Sequence, residues 1–155
     1  MSTHRLRDYQ AKSKNDVYTA WHAGHKSVLL TTATGGGKTV LYSAILEEYN
    51  APAVLIAHRS ELLAQSALAL NREGVPHSIV APKATVNEIV RLEHDTHGYS
   101  KFAFRAPIRV AGVDTLVKQN EPWMQQIALV VIDEGHHALK ANKWGKCWAK
   151  FPNAR

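Results

Sequence analysis

Three consecutive glycines, Gly35, Gly36 and Gly37, lie between a short apolar run and a segment of helical periodicity, and no other feature constrains the chain as much. The run at 27–31 (SVLLT) reads as a buried strand. Lys38–Tyr49 reads as a helix with Val40, Leu41, Ala44, Ile45 and Leu46 on its apolar side. A strand that turns at glycines directly into a helix must lay that helix back over a sheet, so parallel strands separated by helices should fill the rest of the chain. The pattern continues in that way. A helix is expected over 8–21, ending near Gly24, and a strand over Ala53–Ala57 (AVLIA) after Pro52. A helix over 60–71 has Ser60 placed to cap it and Gly74 beyond its end. Strands follow at 78–81 and 108–111, and a short helix at 114–119 has Asp114 as its cap. Leu129–Ile132 (LVVI) is the most strand-like run of all. Between them Val86, Ile89, Val90 and Leu92 suggest a helix, and 98–104 a loop or hairpin. No repeat, low-complexity tract or internal linker interrupts the pattern. The expected fold is one α/β domain over 1–155, an open and mainly parallel sheet with helices on both faces.

The glycines serve a chemical purpose as well. In Thr32-Ala33-Thr34-Gly35-Gly36-Gly37-Lys38-Thr39, glycines permit backbone N–H groups to approach a phosphate closely, and the helix start adds a positive partial charge. Lys38 can reach the β- and γ-phosphates of a nucleotide, and the Thr39 hydroxyl can ligate Mg²⁺. Thr32 stands where the usual pattern has its first glycine. The bland alternative is a glycine-rich turn before an ordinary helix.

A second cluster lies at the end of the best strand, in Val130-Val131-Ile132-Asp133-Glu134-Gly135-His136-His137. In an open α/β sheet, ligands bind at the carboxyl edge of the strands, where the glycine loop also emerges. Asp133 there suits Mg²⁺, held through water, and Glu134 suits the orientation and activation of an attacking water. His136 could couple the nucleotide to neighbouring elements. An acidic pair after a strand is on its own often a solvated loop; paired with the glycine loop it indicates an NTPase using ATP and Mg²⁺. A zinc site at His136 and His137 is disfavoured, because adjacent side chains point apart and no partner has ligand spacing. His94 and His97 read as surface residues.

Composition sets outer limits. A length of 155 residues, 45% hydrophobic and 21% charged, is that of one globular domain and not of a disordered chain. No apolar run is long enough to span a membrane, and the first ten residues do not form a signal peptide. The one cysteine, Cys147, has no partner for an internal disulfide, which makes a reducing, cytoplasmic setting the expectation. Its place between Trp144 and Trp148 points to packing. A formal charge of +6 suits a phosphate-rich partner but is shared by many proteins.

Five segments, in order, resemble the superfamily 2 DExH-type helicases, and prophage and DNA-repair members most. Thr34 to Thr39 looks like helicase motif I. Asp133-Glu134-Gly135-His136 looks like motif II, with Gly135 where alanine or cysteine is more usual. Leu6-Arg7-Asp8-Tyr9-Gln10 is similar to the segment ahead of motif I, which implies that Gln10 reads the adenine edge with Arg7 nearby; an amide suits a base edge that offers both a donor and an acceptor. Residues 57–65 (AHRSELLAQ) resemble motif Ia, implying that Arg59 and the helix start meet a DNA or RNA backbone. A surface ion pair of Arg59 with Glu61 or Glu73 is the rival. Residues 110–116 (VAGVDTL) resemble the next segment, with Asp114 in place of glutamine, and imply a phosphate contact for Thr115.

The resemblance implies an N-terminal RecA-like motor domain that binds Mg-ATP. It also implies a strand with an S/T-A-T sequence after motif II, then a second RecA-like domain carrying arginine fingers. Neither is found before Arg155, so the expectation is the ATP-binding half of a helicase or translocase, unable to unwind alone without a second domain or partner chain. The alternatives are a truncated, non-enzymatic ATP-binding product and the motor portion of a restriction translocase. A GTPase is disfavoured, because Asn142-Lys143-Trp144-Gly145 lacks the aspartate of a guanine reader.

Overall fold

A computed structural model describes residues 5–32, 37–133 and 143–155. Strands β1 (Ala53–Ala57), β2 (Ser78–Val80), β3 (Ile108–Gly112) and β4 (Leu129–Ile132) form one sheet in the order β2-β3-β1-β4. Every pairing is parallel. Helices α1 (Asp8–His22), α2 (Lys38–Tyr49), α3 (Ser60–Arg72), α4 (Lys83–His97), α5 (Val113–Leu116) and α6 (Lys143–Trp148) account for most of the rest, with a 3₁₀ turn at Pro122–Gln126.

Strand β1 shows why the sheet is covered on both sides. Ala53, Leu55 and Ala57 join a core with Trp21, Leu41, Leu46, Leu63, Leu70 and Ile89, whereas Val54 and Ile56 join Val113, Leu116, Met124, Ile127 and Phe151 on the opposite face. Alternate side chains of one strand thus enter two cores, so the strand is apolar throughout. Trp21 stacks edge-on against Tyr18 and Tyr49, fastening α1 to the end of α2. Cys147 is buried in the second core, its thiol 3.8 Å from the Val113 carbonyl, as a packing residue.

The expected strand at 27–31 is absent from this sheet. Residues 22–31 are exposed, Leu29 at 79%, and no described strand pairs with them. The outer edge of β4 is taken up instead by the last residue. Arg155 N–H donates to the Ala128 carbonyl at 3.0 Å, and its carbonyl accepts from Val130 N–H at 2.7 Å. The guanidinium of Arg155 lies over the Trp21 ring, 5.9 Å from its centre. An apolar run becomes a strand only where a neighbouring strand offers it hydrogen bonds, and no described strand does so for 27–31.

Smaller differences concern caps. Ser60 is the first residue of α3, and the cap position falls on Arg59 with no side-chain bond. Likewise Gly112 precedes α5, and Asp114 lies inside its first turn. The short helix therefore starts one residue earlier and is shorter than expected, with Val113 fully buried. His94 is exposed as expected. His97 is not a plain surface residue, for its Nδ1 lies 2.8 Å from the Asn71 amide nitrogen.

Candidate functional site

Parallel pairing sends all four strands' carboxyl ends to one edge of the sheet. Asp133 follows β4 directly, and its backbone N–H still bonds to the Ile56 carbonyl of β1, so the strand continues up to the carboxylate. Lys38 opens α2 and brings its ammonium to 3.7 Å from an Asp133 carboxylate oxygen. Two residues separated by most of the chain therefore meet at the sheet's carboxyl edge. The Lys38 side chain is about half exposed and Asp133 largely covered, leaving the cation accessible to a ligand.

Gly37 caps α2 in the left-handed region at φ +70°, where a side chain is strained. A Cβ there would stand 2.3 Å from the amide nitrogen of Gln10. The reason is that Gln10 is buried against the loop. Its Nε2 donates to the Gly37 carbonyl at 3.2 Å, and its Oε1 accepts from the Arg7 N–H at 2.8 Å. Gln10 thus ties the start of α1 to the start of α2. The sequence placed Gln10 near a base; the structure gives it contacts to the loop backbone and to Arg7, whose own side chain is exposed.

Thr39 lies in the first turn of α2, where its carbonyl accepts from Ser43 Oγ. Thr32, at the loop's other end, keeps a buried hydroxyl with no hydrogen-bond partner among the described residues. An unsatisfied hydroxyl, a lysine at a helix start and a nearby carboxylate fit a triphosphate and its divalent cation. Thr34, Gly35, Gly36, Glu134, His136, His137 and Asn142 lie outside the described residues.

Two other expected site residues follow the carboxyl ends of β1 and β3. Arg59 follows β1 by two positions, exposed at the start of α3. Glu73 pairs instead with Arg72 at 3.3 Å. Thr115 is half-buried in α5, just past the end of β3.

Sequence reasoning passed over Tyr42. Burial, with Asp133's negative charge adding to it, pushes its hydroxyl up to about 12, although a bond to Ser66 at 3.4 Å opposes the shift. It also passed over the buried His77, Glu93 and Asn71 beneath the 98–106 loop, where Ser100 of the loop donates to Glu93. Glu93 was within reach of periodicity, since it falls four residues after buried Ile89 on the same face of α4.

The family model described as "Type III restriction enzyme, res subunit" matches residues 3–155. A protein of Saccharomyces cerevisiae, "Putative ATP-dependent helicase IRC3", is 26% identical over 146 residues, which is 86% of this chain and 19% of that protein. Among solved structures, the UvsW helicase from bacteriophage T4 superposes with a TM-score of 0.68 at 16% identity, covering 99% of this chain and 51% of that one. A nuclease-deletion mutant of the Type ISP restriction-modification enzyme LlaGI, in complex with a DNA substrate mimic, gives 0.58 at 17% identity over 86% of this chain and 15% of its own. The chain spans about a fifth of the yeast relative and about half of the phage helicase. The family match over nearly every residue and the all-parallel sheet, whose fold is similar to that of the phage helicase, agree: this chain belongs to the Type III restriction enzyme res-subunit family.

Proposed function

We propose that this chain is the ATP-binding half of an ATP-dependent helicase or translocase, with its nucleotide held at the carboxyl edge of β4. The approach of Lys38 to Asp133 carries the reading, since it joins the glycine loop to the acidic box at one point. Lys38 would neutralise phosphate charge, Thr39 and Asp133 would hold Mg²⁺, and the backbone of Thr34, Gly35, Gly36 and Gly37 would line the phosphates. The metal, when bound, supplies charge compensation for the transferred phosphoryl group. Glu134 would accept a hydrogen bond from the attacking water and so orient it, and His136 would link the nucleotide to neighbouring segments. Gln10 would favour adenine, with Arg7 beside it. Because Gln10 also bonds to Gly37, the same side chain would link a bound base to the end of the phosphate loop.

Arg59 and Thr115 would meet the backbone of DNA or RNA, a sequence-independent and salt-sensitive contact. The Type III restriction family match and the LlaGI likeness favour a second reading, the motor portion of a restriction translocase. Both readings share every residue named above.

A fluorescent ATP analogue titrated against wild type and Lys38→Ala tests the site. Tight, Mg²⁺-dependent binding by wild type and a loss of at least tenfold in the variant are expected. Equal affinity for both would remove the assignment, and GTP competing as well as ATP would remove the role of Gln10.

A further inference from the structure

The loop between α4 and β3 presents a phenylalanine to solvent from a heavily braced backbone. Asn71 is fully buried, and its Oδ1 accepts from Lys101 N–H at 2.7 Å while its Nδ2 donates to the Tyr99 carbonyl at 3.0 Å. Tyr99 returns a bond from its hydroxyl to the Asn71 carbonyl at 3.1 Å. One residue further on, Ser100 donates to Glu93, whose other oxygen lies 2.7 Å from His77 Nε2. His77 in turn bonds by its backbone to Lys101 and Ala103 on the loop. Both His77 and Glu93 are completely buried.

This bracing leads up to a turn. Phe102 packs against the first core. Ala106 N–H then bonds to the Ala103 carbonyl at 3.0 Å, which places Phe104 and Arg105 at the two central positions. Turn tips ordinarily hold glycine, proline, asparagine, aspartate or serine. Here the tip is a phenylalanine at 81% exposure, the most exposed large apolar residue described. Folding a phenylalanine inward ordinarily gains free energy, so a fixed loop that holds one outward leaves a contact surface unused by the fold.

The charge around it indicates the partner. Residues 98–109 (GYSKFAFRAPIR) contain Lys101, Arg105 and Arg109 and no carboxylate. Lys101 and Arg105, before and after Phe104 in the chain, are both exposed, the Lys101 ammonium 5.9 Å from the centre of the Tyr99 ring, while Arg109 is turned onto the Trp123 ring at 4.4 Å. An exposed aromatic ring with two exposed cations near it in the chain matches a base beside its flanking phosphates.

We propose that the Lys101–Phe104–Arg105 tip binds single-stranded nucleic acid, stacking one base on Phe104 and holding the adjoining phosphates with Lys101 and Arg105. The site is separate from the contacts proposed for Arg59 and Thr115. The loop joins β3 at its amino end, where the Pro107 carbonyl accepts from Ala53 N–H, whereas Arg59 and Thr115 follow the carboxyl ends. A five-residue strand puts about 17 Å between those edges. The proposal goes beyond the motor reading and needs no nucleotide.

The test is fluorescence anisotropy without ATP, using a labelled oligothymidylate of about a dozen nucleotides, within the range single-strand binders cover, and an abasic oligonucleotide of equal length. Phe104→Ala should weaken oligothymidylate binding by roughly 5- to 100-fold, the span for one stacked base, and leave abasic binding unchanged. Phe104→Tyr should restore it. Lys101→Ala and Arg105→Ala should each weaken both ligands and lower the salt dependence by about one phosphate contact. Arg59→Ala should leave the difference between the two oligonucleotides intact. The exposed position makes misfolding of Phe104→Ala easy to exclude by circular dichroism. Unchanged oligothymidylate binding in Phe104→Ala, or an equal loss on both ligands, overturns the proposal, including the case in which the tip instead docks a protein. Loss of ATP binding in Lys38→Ala bears only on the motor reading, so the two can fail separately.

Discussion

Among single residues, Gln10 and Gly37 connect sequence, backbone and function most directly. Gly37 needs a left-handed conformation, and the space its Cβ would use is filled by the Gln10 amide. Gly37→Ala therefore meets two penalties. The conformation costs about 1–2 kcal/mol for a residue with a side chain, and Gln10 must leave its bonds to Gly37 and Arg7. The expected result is a folded protein of lower melting temperature that binds an ATP analogue at least tenfold more weakly. Calorimetry and the titration read the two effects apart. Wild-type affinity in a destabilised Gly37→Ala would show that Gln10 does not need to sit against the loop. The sequence pointed to both residues but not to their contact, which depends on how α1 packs beside α2.

At the scale of elements, the pattern of strands and helices was legible because each follows one periodicity over several residues. β1, β3, β4, α2 and α3 lie within a residue or two of expectation. Where expectation failed, the deciding partner was distant. Residues 27–31 have only three apolar residues in five where β1 has five, and a strand is defined by a neighbour that none of the described strands gives them. Asn71 and Glu93 look like ordinary helix residues until the 98–106 loop folds onto them. The packing of α2 on α3 makes a further prediction through Tyr42. Its hydroxyl is raised from 10 to about 12, chiefly by burial. The folded state thus holds that proton more tightly than the unfolded chain. The contribution is fully present below pH 10 and is lost as pH rises to about 12, amounting to about 2–3 kcal/mol at most. Chemical denaturation at successive pH values should show stability falling across that interval. Tyr42→Phe should remove this part of the slope, and an unaltered slope would place the alkaline sensitivity in other tyrosines such as Tyr18.

For the molecule as a whole, the question is how much of a motor's work this chain can do. Phosphoryl transfer is catalysed mainly by positioning and by charges aimed at the transition state. On the proposed reading, Lys38, Asp133 and Glu134 would supply part of that set. The helicase resemblance assigns the remaining cation, an arginine, to a second RecA-like domain, and the chain covers only 19% of the yeast relative and 51% of the phage helicase. Such a finger is worth about 10³–10⁵ in rate in related NTPases. The 155-residue chain should therefore bind ATP well and hydrolyse it slowly, with Glu134→Gln abolishing what turnover there is. Strand separation also needs two bodies that close and open around the nucleotide, and the four-stranded sheet described here is one body. A steady-state ATPase assay with and without single-stranded DNA, run beside strand displacement on a tailed duplex, checks both points. A partner chain that lends the arginine should raise turnover steeply as it is titrated in, and turnover proportional to the square of chain concentration would identify a second copy as the donor. Brisk, Glu134-dependent hydrolysis coupled to unwinding by the purified monomer would defeat the half-motor reading, because all the required charge would then have to come from this one sheet edge.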